Sequence, residues 1–460
     1  MLVRRLSTKV KPFETIPVAK LEDIGPEFQP NPTLKLHVLN HKRHLEYGPI
    51  YRESVGPDSD IVWIGCGQMC QEVFQQEGPY PKNLIPRPWT IYNEKYQVER
   101  GIFFKQGSDW AEWRHRLNPI FFKSQKGFWS LTDQVTLQLI RDLESDPGNL
   151  EHKLRNWAVE STLTMIFGSS FRDYQIDLDD FGTHAKNIFE HSAILQLRSA
   201  DHEAKEGTDL WCKFAQSVST SLSMTNNLTT EMLKRPSNDG LLSVLKTQSG
   251  FSDKELSLLV SDLVIASQDT VSNTALWMIH LLASNPEVQK AYQLEINQSA
   301  FVKFVIKETF RMFPVATFLT RITPNEIRVG GYSLPKDQMI LMSMFHMGRR
   351  SDYFADPQKF WPSRWERSKS GQFRQGVDLA ARFATIPFGF GARSCLAKHL
   401  AEYQLQFLVR ELLNRFELIS LNEGVDMIMK MTGIPNQQNK LFSTPRMSIY
   451  SSFEGCQQEK

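Results

Sequence analysis

Phe388-Gly389-Phe390-Gly391-Ala392-Arg393-Ser394-Cys395-Leu396-Ala397 runs straight into an apolar-periodic stretch that predicts a helix from Leu396 to about Leu418. A single cysteine after a glycine-rich turn, at the start of a helix, is suited to holding a thiolate. The first-turn N–H groups of a helix have no intrahelical acceptor, and the helix dipole favours negative charge there. Gly389 and Gly391 allow positive φ, so the backbone can fold tightly around the sulfur. Arg393, two residues earlier, is predicted to place a fixed cation close by. The competing reading is a buried structural cysteine, the commoner fate of a lone Cys.

Zinc needs several Cys or His ligands at close spacing, and no such cluster is near. Haem iron can take a single axial thiolate. On these residues the stretch resembles the haem-ligand loop of the cytochrome P-450 superfamily, Phe-x-x-Gly-x-Arg-x-Cys-x-Gly. Phe388, Gly391, Arg393 and Cys395 match it, while Ala397 stands where the family usually has glycine. The resemblance implies haem b with Cys395 as the axial ligand. It also implies a mainly α fold with a small β-rich lobe, the haem clasped between two long helices.

Composition is compatible with that reading. An apolar content of 41% in 460 residues supports a sizeable core, and a net charge of +2 with no basic tract argues against nucleic-acid binding. Five scattered cysteines argue against a disulfide framework. No run of 18 apolar residues predicts a transmembrane helix. Residues 1–11, Met-Leu-Val-Arg-Arg-Leu-Ser-Thr-Lys-Val-Lys, are basic, hydroxyl-containing and free of acids. That is the composition of a short mitochondrial transit segment, or else of an ordinary basic tail. Residues 12–460 are expected to form a single catalytic domain, with no internal repeat or second module.

Upstream of the cysteine, Ser252-Asp253-Lys254-Glu255 is a capping box that opens a helix predicted to run to about Ser284, roughly 32 residues or about 48 Å. Its middle is apolar on most sides, yet Ala266-Ser267-Gln268-Asp269-Thr270 falls inside it. A carboxylate and a hydroxyl in a buried helix are costly unless partnered. The family keeps Ala-Gly-x-Asp/Glu-Thr over the haem, so the resemblance implies that Asp269 and Thr270 deliver protons during O–O cleavage, with Ser267 departing from the usual glycine. The alternative is a threonine bonded back to the carbonyl four residues earlier.

Other segments match the family in order. Trp110 and Arg114, four apart, share one helix face; the resemblance assigns them, with Arg321, to the haem propionates, and the alternative is a surface cation–π pair. Glu308 and Arg311 can pair on a helix predicted over Phe301–Phe313. A buried pair needs further partners, and Arg364 of Pro362-Ser363-Arg364-Trp365 is the expected third member, a structural set. Lys303 and Lys307 face outwards together on the same helix. With Lys398 they resemble the basic residues by which mitochondrial members dock an acidic ferredoxin; a solvated basic face is the alternative. The segment 78–107 reads as a long polar, aromatic loop over the pocket. Met431-Thr432-Gly433-Ile434-Pro435 looks like a turn that closes it from the far side.

The resemblance as a whole implies a mitochondrial monooxygenase acting on a sterol, steroid or similar lipophilic molecule, most specifically an arthropod ecdysteroid 2-hydroxylase. Electrons come from an adrenodoxin-type ferredoxin with its reductase, O₂ is the co-substrate, and association with the matrix side of the inner membrane is peripheral. Xenobiotic oxidation, an O₂-independent haem-thiolate isomerase and a non-catalytic haem sensor are the alternatives.

Overall fold

Ser252 caps the longest helix, Asp253–Ala283, as the capping box predicts: the Glu255 N–H donates to Ser252 Oγ and the Ser252 N–H to the Glu255 carboxylate. In the computed structural model the described residues are 10–445 except 21–33, 57–58, 123–125, 175, 236, 238, 297, 368–380, 382 and 438–440. The transit-segment expectation (apart from its last two residues) and the approach to the cysteine at 368–380 fall outside them.

The long helix is apolar nearly all round because it crosses the middle of the helical body. It packs on Leu150–Phe167, Asp209–Lys234, Gln298–Met312 and Lys398–Arg415. Leu259, Val260, Val264, Leu276, Met278 and Ile279 are buried in two core clusters. Each such side chain contributes roughly 1.5–3 kcal/mol by leaving water.

The β-rich lobe is a five-stranded mixed sheet in the order Val18–Ala19, Ile50–Gly56, Ser59–Ile64, Met339–Ser343, Phe318–Ile322. Ile50–Gly56 and Ser59–Ile64 form an antiparallel pair, Trp63 sits opposite Leu341 in a parallel register, and Arg321 sits opposite Ile340 on the last strand. Alternating Ile50, Val62, Ile64, Ile340 and Met342 bury one face in the lobe's own core. The predicted mainly helical body with a small β-rich lobe is what the chain adopts.

Three boundaries differ from expectation. The helix after the cysteine is Lys398–Arg415, and Phe416–Ser420 is instead a strand paired with Leu441–Pro445. The segment 78–107 holds a helix, Arg87–Lys95, started by Pro86 and Pro88 and burying Trp89, Ile91 and Tyr92. The helix predicted from Phe301 begins instead at Gln298.

Candidate active site

The cysteine loop is closed by its own backbone. The Cys395 N–H donates to Phe388 O at 2.8 Å, the Gly389 N–H to Ile386 O at 2.9 Å, and Gly391–Arg393 makes one 3-10 turn. Gly389 and Gly391 take φ of 70° and 73°. At Gly391 a Cβ would also lie 2.5 Å from Glu77 Oε1, so only glycine fits that approach. Phe388 anchors the loop to the core, edge-on to Phe310 with ring centres 5.2 Å apart.

Cys395 stands three residues before its helix rather than at the helix start, so a row of first-turn N–H groups does not face the sulfur. One N–H, that of Ala397, does. The side chain is solvent-accessible, yet it is walled closely enough that desolvation pushes the thiol above its ordinary value, against the Ala397 N–H and the charges of Arg114 and Lys398. The expectation that Arg393 would be the nearby cation is corrected. Its Nε donates to Pro81 O and its Nη2 to Lys105 O and Gln106 Oε1, and its guanidinium stacks 4.0 Å over the Trp110 ring. A protein that raises a thiol's pKa this way leaves deprotonation to a bound cation, which ionises a coordinating thiol outright.

Arg393, Arg321 and Arg114 crowd one another. Burial and the other two guanidiniums bring Arg393 down to about 10. One carboxylate serves this group: Arg321 Nε donates to Glu77 Oε2 at 2.5 Å, while its other donors reach Asn83 Oδ1, Thr320 O and Phe390 O. Burial raises Glu77 in spite of Arg321. Arg114 is buried on the helix Gly107–Phe122 beside Trp110, and its Nε has no hydrogen-bond partner. Three cations around one acid, with a desolvated donor unused, form a site that calls for added negative charge.

Across the body, between Leu259 and Ile279, the long helix is buried except along one stripe. Ala266 is exposed, Leu263, Ser267 and Thr270 are half-exposed, and the spacing places all four on one face. Thr270 Oγ1 donates to Ala266 O at 2.9 Å, the back-bond foreseen as the alternative, which leaves its lone pairs free to accept. Asp269 is buried and turned away from the stripe. Its Oδ2 accepts from Thr432 Oγ1 at 2.9 Å, and desolvation raises its pKa to about 6. The loop bordering this region is fastened to the same helix: the Phe103 N–H donates to Asp262 Oδ2 at 2.9 Å, and Arg100 lies 3.6 Å from Asp262.

Glu308, Arg311 and Arg364 meet as predicted, all fully buried. Glu308 Oε1 accepts from Arg311 Nη2 at 2.8 Å and Arg364 Nε at 2.9 Å. Trp365 Nε1 and the Trp361 N–H complete the carboxylate's shell. Lys303 and Lys307 are exposed, Lys398 half-buried. Partial desolvation of its ammonium and repulsion from Arg367, Lys303 and Lys398 lower Lys307 against the pull of Glu402, so these cations form one patch. Arg367 and Glu77 were not anticipated, and neither was the contact of Thr432, within the expected Met431–Pro435 turn, with Asp269; each lies far in sequence from the group it meets, with no local pattern to mark the contact.

The Cytochrome P450 family model matches residues 24–443. The chain belongs to the cytochrome P450 family. It is therefore a cytochrome P450 monooxygenase that carries haem b, with a cysteine thiolate on the iron. Among its relatives, the mitochondrial cytochrome P450 315a1 of Drosophila melanogaster is 28% identical over 443 residues, covering 89% of this chain and 84% of the relative. The mitochondrial sterol 26-hydroxylase of Oryctolagus cuniculus is 26% identical, covering 88% and 82%. The mitochondrial cholesterol side-chain cleavage enzyme of Equus caballus is 27% identical, covering 88% and 83%. The donor set of this P450 suits haem: an accessible sulfur on a rigid loop, and arginines in excess of their acids for a group bearing two carboxylates. Among the described residues no helix is long and apolar enough to cross a membrane, and no cluster of three or more His, Cys, Asp or Glu could hold another metal.

Proposed function

We propose that this P450 is a mitochondrial steroid or sterol hydroxylase fed by an adrenodoxin-type ferredoxin, with an ecdysteroid 2-hydroxylation as its most specific assignment. The observation that carries the oxidative reading is the cysteine loop, Phe388 to Cys395, backed by its underneutralised arginines. The substrate class is supported by the relatives' names, two of which are a sterol hydroxylase and a cholesterol-cleaving enzyme, and the compartment by all three being mitochondrial. Residues 1–11 serve as the transit segment and 12–460 as one catalytic domain on the matrix side of the inner membrane.

In this reading Cys395 would hold the haem iron through its thiolate, and Arg114, Arg393, Arg321 and Trp110 would hold the haem's carboxylates, with Gly391 and Phe388 keeping the loop in place. The bound haem supplies reductive activation of O₂. The overall change is RH + O₂ + 2 electrons + 2 protons → ROH + H₂O. The chain's own contribution is to exclude bulk water and bring those protons in. Asp269, poised near neutrality, takes a proton from the solvent side; Thr270, whose oxygen lone pairs face the accessible stripe, holds the water that receives it. Glu308, Arg311 and Arg364 keep the core beneath the loop rigid.

Reconstitution with NADPH, ferredoxin reductase, ferredoxin and a steroid panel tests this directly. One steroid is expected to shift the Soret band and to be hydroxylated only with O₂; product formed equally well without O₂ would overturn the assignment. Thr270→Ala is expected to keep consuming NADPH but to release peroxide, with product per NADPH down about tenfold or more. For the docking patch, Lys303→Glu is expected to weaken ferredoxin binding severalfold at low ionic strength and progressively less as salt screens the contact. Equal affinities across a salt titration would remove the patch from the ferredoxin interface.

A further inference from the structure

The hairpin Met427–Lys430/Thr432–Pro435 turns at Met431, which takes φ of 66°. It lies across two helices and is pinned to both. Lys430 Nζ pairs with Glu190 Oε1 at 2.9 Å on the helix Leu178–Leu197. On the long helix, Trp277 Nε1 donates to Gly433 O at 2.9 Å and Asp269 accepts from Thr432. The Gly433 N–H donates to Val315 O at 3.0 Å, and a Cβ there would lie 2.6 Å from Met427 Sδ and 3.1 Å from Pro314 O, so the strand is closely seated.

Resting on the relay reading above, we propose that Thr432 is a positioning residue for Asp269: its hydroxyl, carried on the hairpin, fixes the carboxylate and couples proton delivery to the hairpin's seating. Thr432 and Asp269 are both buried, and Thr432 is the hydrogen-bond partner of Oδ2. The other groups acting on Asp269 do so at longer range. Arg155 on Leu150–Phe167 and Lys186 on Leu178–Leu197 favour its anion, and Glu190 opposes it. Glu190 is itself compensated by Lys430, and Glu151 lies between Arg155 and Lys186. On Asp269's own helix, Asn273 donates to its backbone carbonyl, not its carboxylate. Losing the Thr432 hydroxyl therefore removes the direct donor and leaves a buried carboxylate facing only distant charges. Lifting the hairpin would do the same.

The test uses the haem-loaded full chain with Thr432→Val, which keeps the branched shape, Thr432→Ser, which keeps the hydroxyl, and Asp269→Asn, which identifies the Asp269 carboxyl band by its disappearance from the infrared spectrum. In the unsubstituted protein that band is expected to titrate near pH 6. In Thr432→Val its midpoint should rise by about one pH unit, a tenfold tighter proton, since a hydrogen bond to a charged group is of that order. Peroxide per NADPH should rise severalfold in the same variant, and Thr432→Ser should restore both. A purely structural threonine would lower the unfolding midpoint without moving the Asp269 band. An unmoved midpoint in Thr432→Val, or a Thr432→Ser that behaves like valine, overturns the assignment. The relay reading fails separately, if Asp269→Asn couples as well as the unsubstituted enzyme; the infrared midpoint still reports whether Thr432 holds the carboxyl.

Discussion

Cys395→Ser is expected to abolish the carbon-monoxide absorption of sulfur-ligated haem and to reduce hydroxylation to background, a loss on the order of a thousandfold or more. The reason lies in what the loop offers the side chain. The sulfur receives one N–H, from Ala397, and longer-range attraction from Arg114 and Lys398, while desolvation opposes its charge. That balance already holds a thiol above its usual range, and an alcohol, far less acidic, would stay neutral beside a metal. The loop backbone should survive the change, because its closure runs through Cys395 N and Phe388 O rather than through the sulfur. Haem should therefore still be retained in part by the arginines, but without its thiolate. The matching control is Cys212→Ser: Cys212 is exposed and its thiol reaches Gly207 O. Cys66 and Cys70 are occupied by Tyr353 and Met347. A sulfur-type spectrum persisting in Cys395→Ser, or lost in Cys212→Ser, would refute the assignment of the ligand.

What the sequence made legible was local. The Phe388–Cys395 loop could be read because its glycines, arginine and cysteine are contiguous, and the turn they make depends on their own backbone. The capping box at Ser252 and the Glu308–Arg311 pair were legible for the same reason, being set by spacings of three on one helix. Failures came where a distant segment decided the outcome. Phe416–Ser420 continues an apolar helical pattern, but its strand partner Leu441–Pro445 takes it out of the helix. Arg87–Lys95 hid as a helix because its proline, aromatics and asparagine are weak helix formers; burial of Trp89, Ile91 and Tyr92 overrides that preference. Glu77 reaches Arg321, and Thr432 reaches Asp269, across separations that no periodicity encodes. The same holds for Arg367, which joins the lysine patch through the fold alone.

Glu308→Ala is expected to prevent accumulation of folded, haem-loaded protein. The carboxylate is fully buried and accepts from Arg311, Arg364, Trp365 Nε1 and the Trp361 N–H. Removing it takes from both guanidiniums the carboxylate they share, a loss of about 3–5 kcal/mol where one member of a buried ionic group is deleted. Total stability is on the order of 5–15 kcal/mol, so this is a large share. Replacing the acid and an arginine together by apolar residues would not restore it, although buried ion pairs elsewhere tolerate such exchange. Here the arginines have a second task. Arg311 donates to the carbonyls of Gly348, Pro357 and Lys359, and Arg364 to those of Ala355, Asp356 and Lys359. That stretch is irregular, so an apolar side chain would leave these carbonyls, Gly348 O buried among them, without their arginine donors. Arg311→Lys should fail nearly as badly, because an ammonium cannot span Glu308 and three carbonyls in one planar fork. Glu308→Gln separates charge from shape: it keeps the volume and an acceptor, and should yield a weakly stable protein with a lowered denaturant midpoint. Wild-type midpoints for Glu308→Gln and Arg311→Lys would show that the cluster is dispensable and that the carbonyls find other donors.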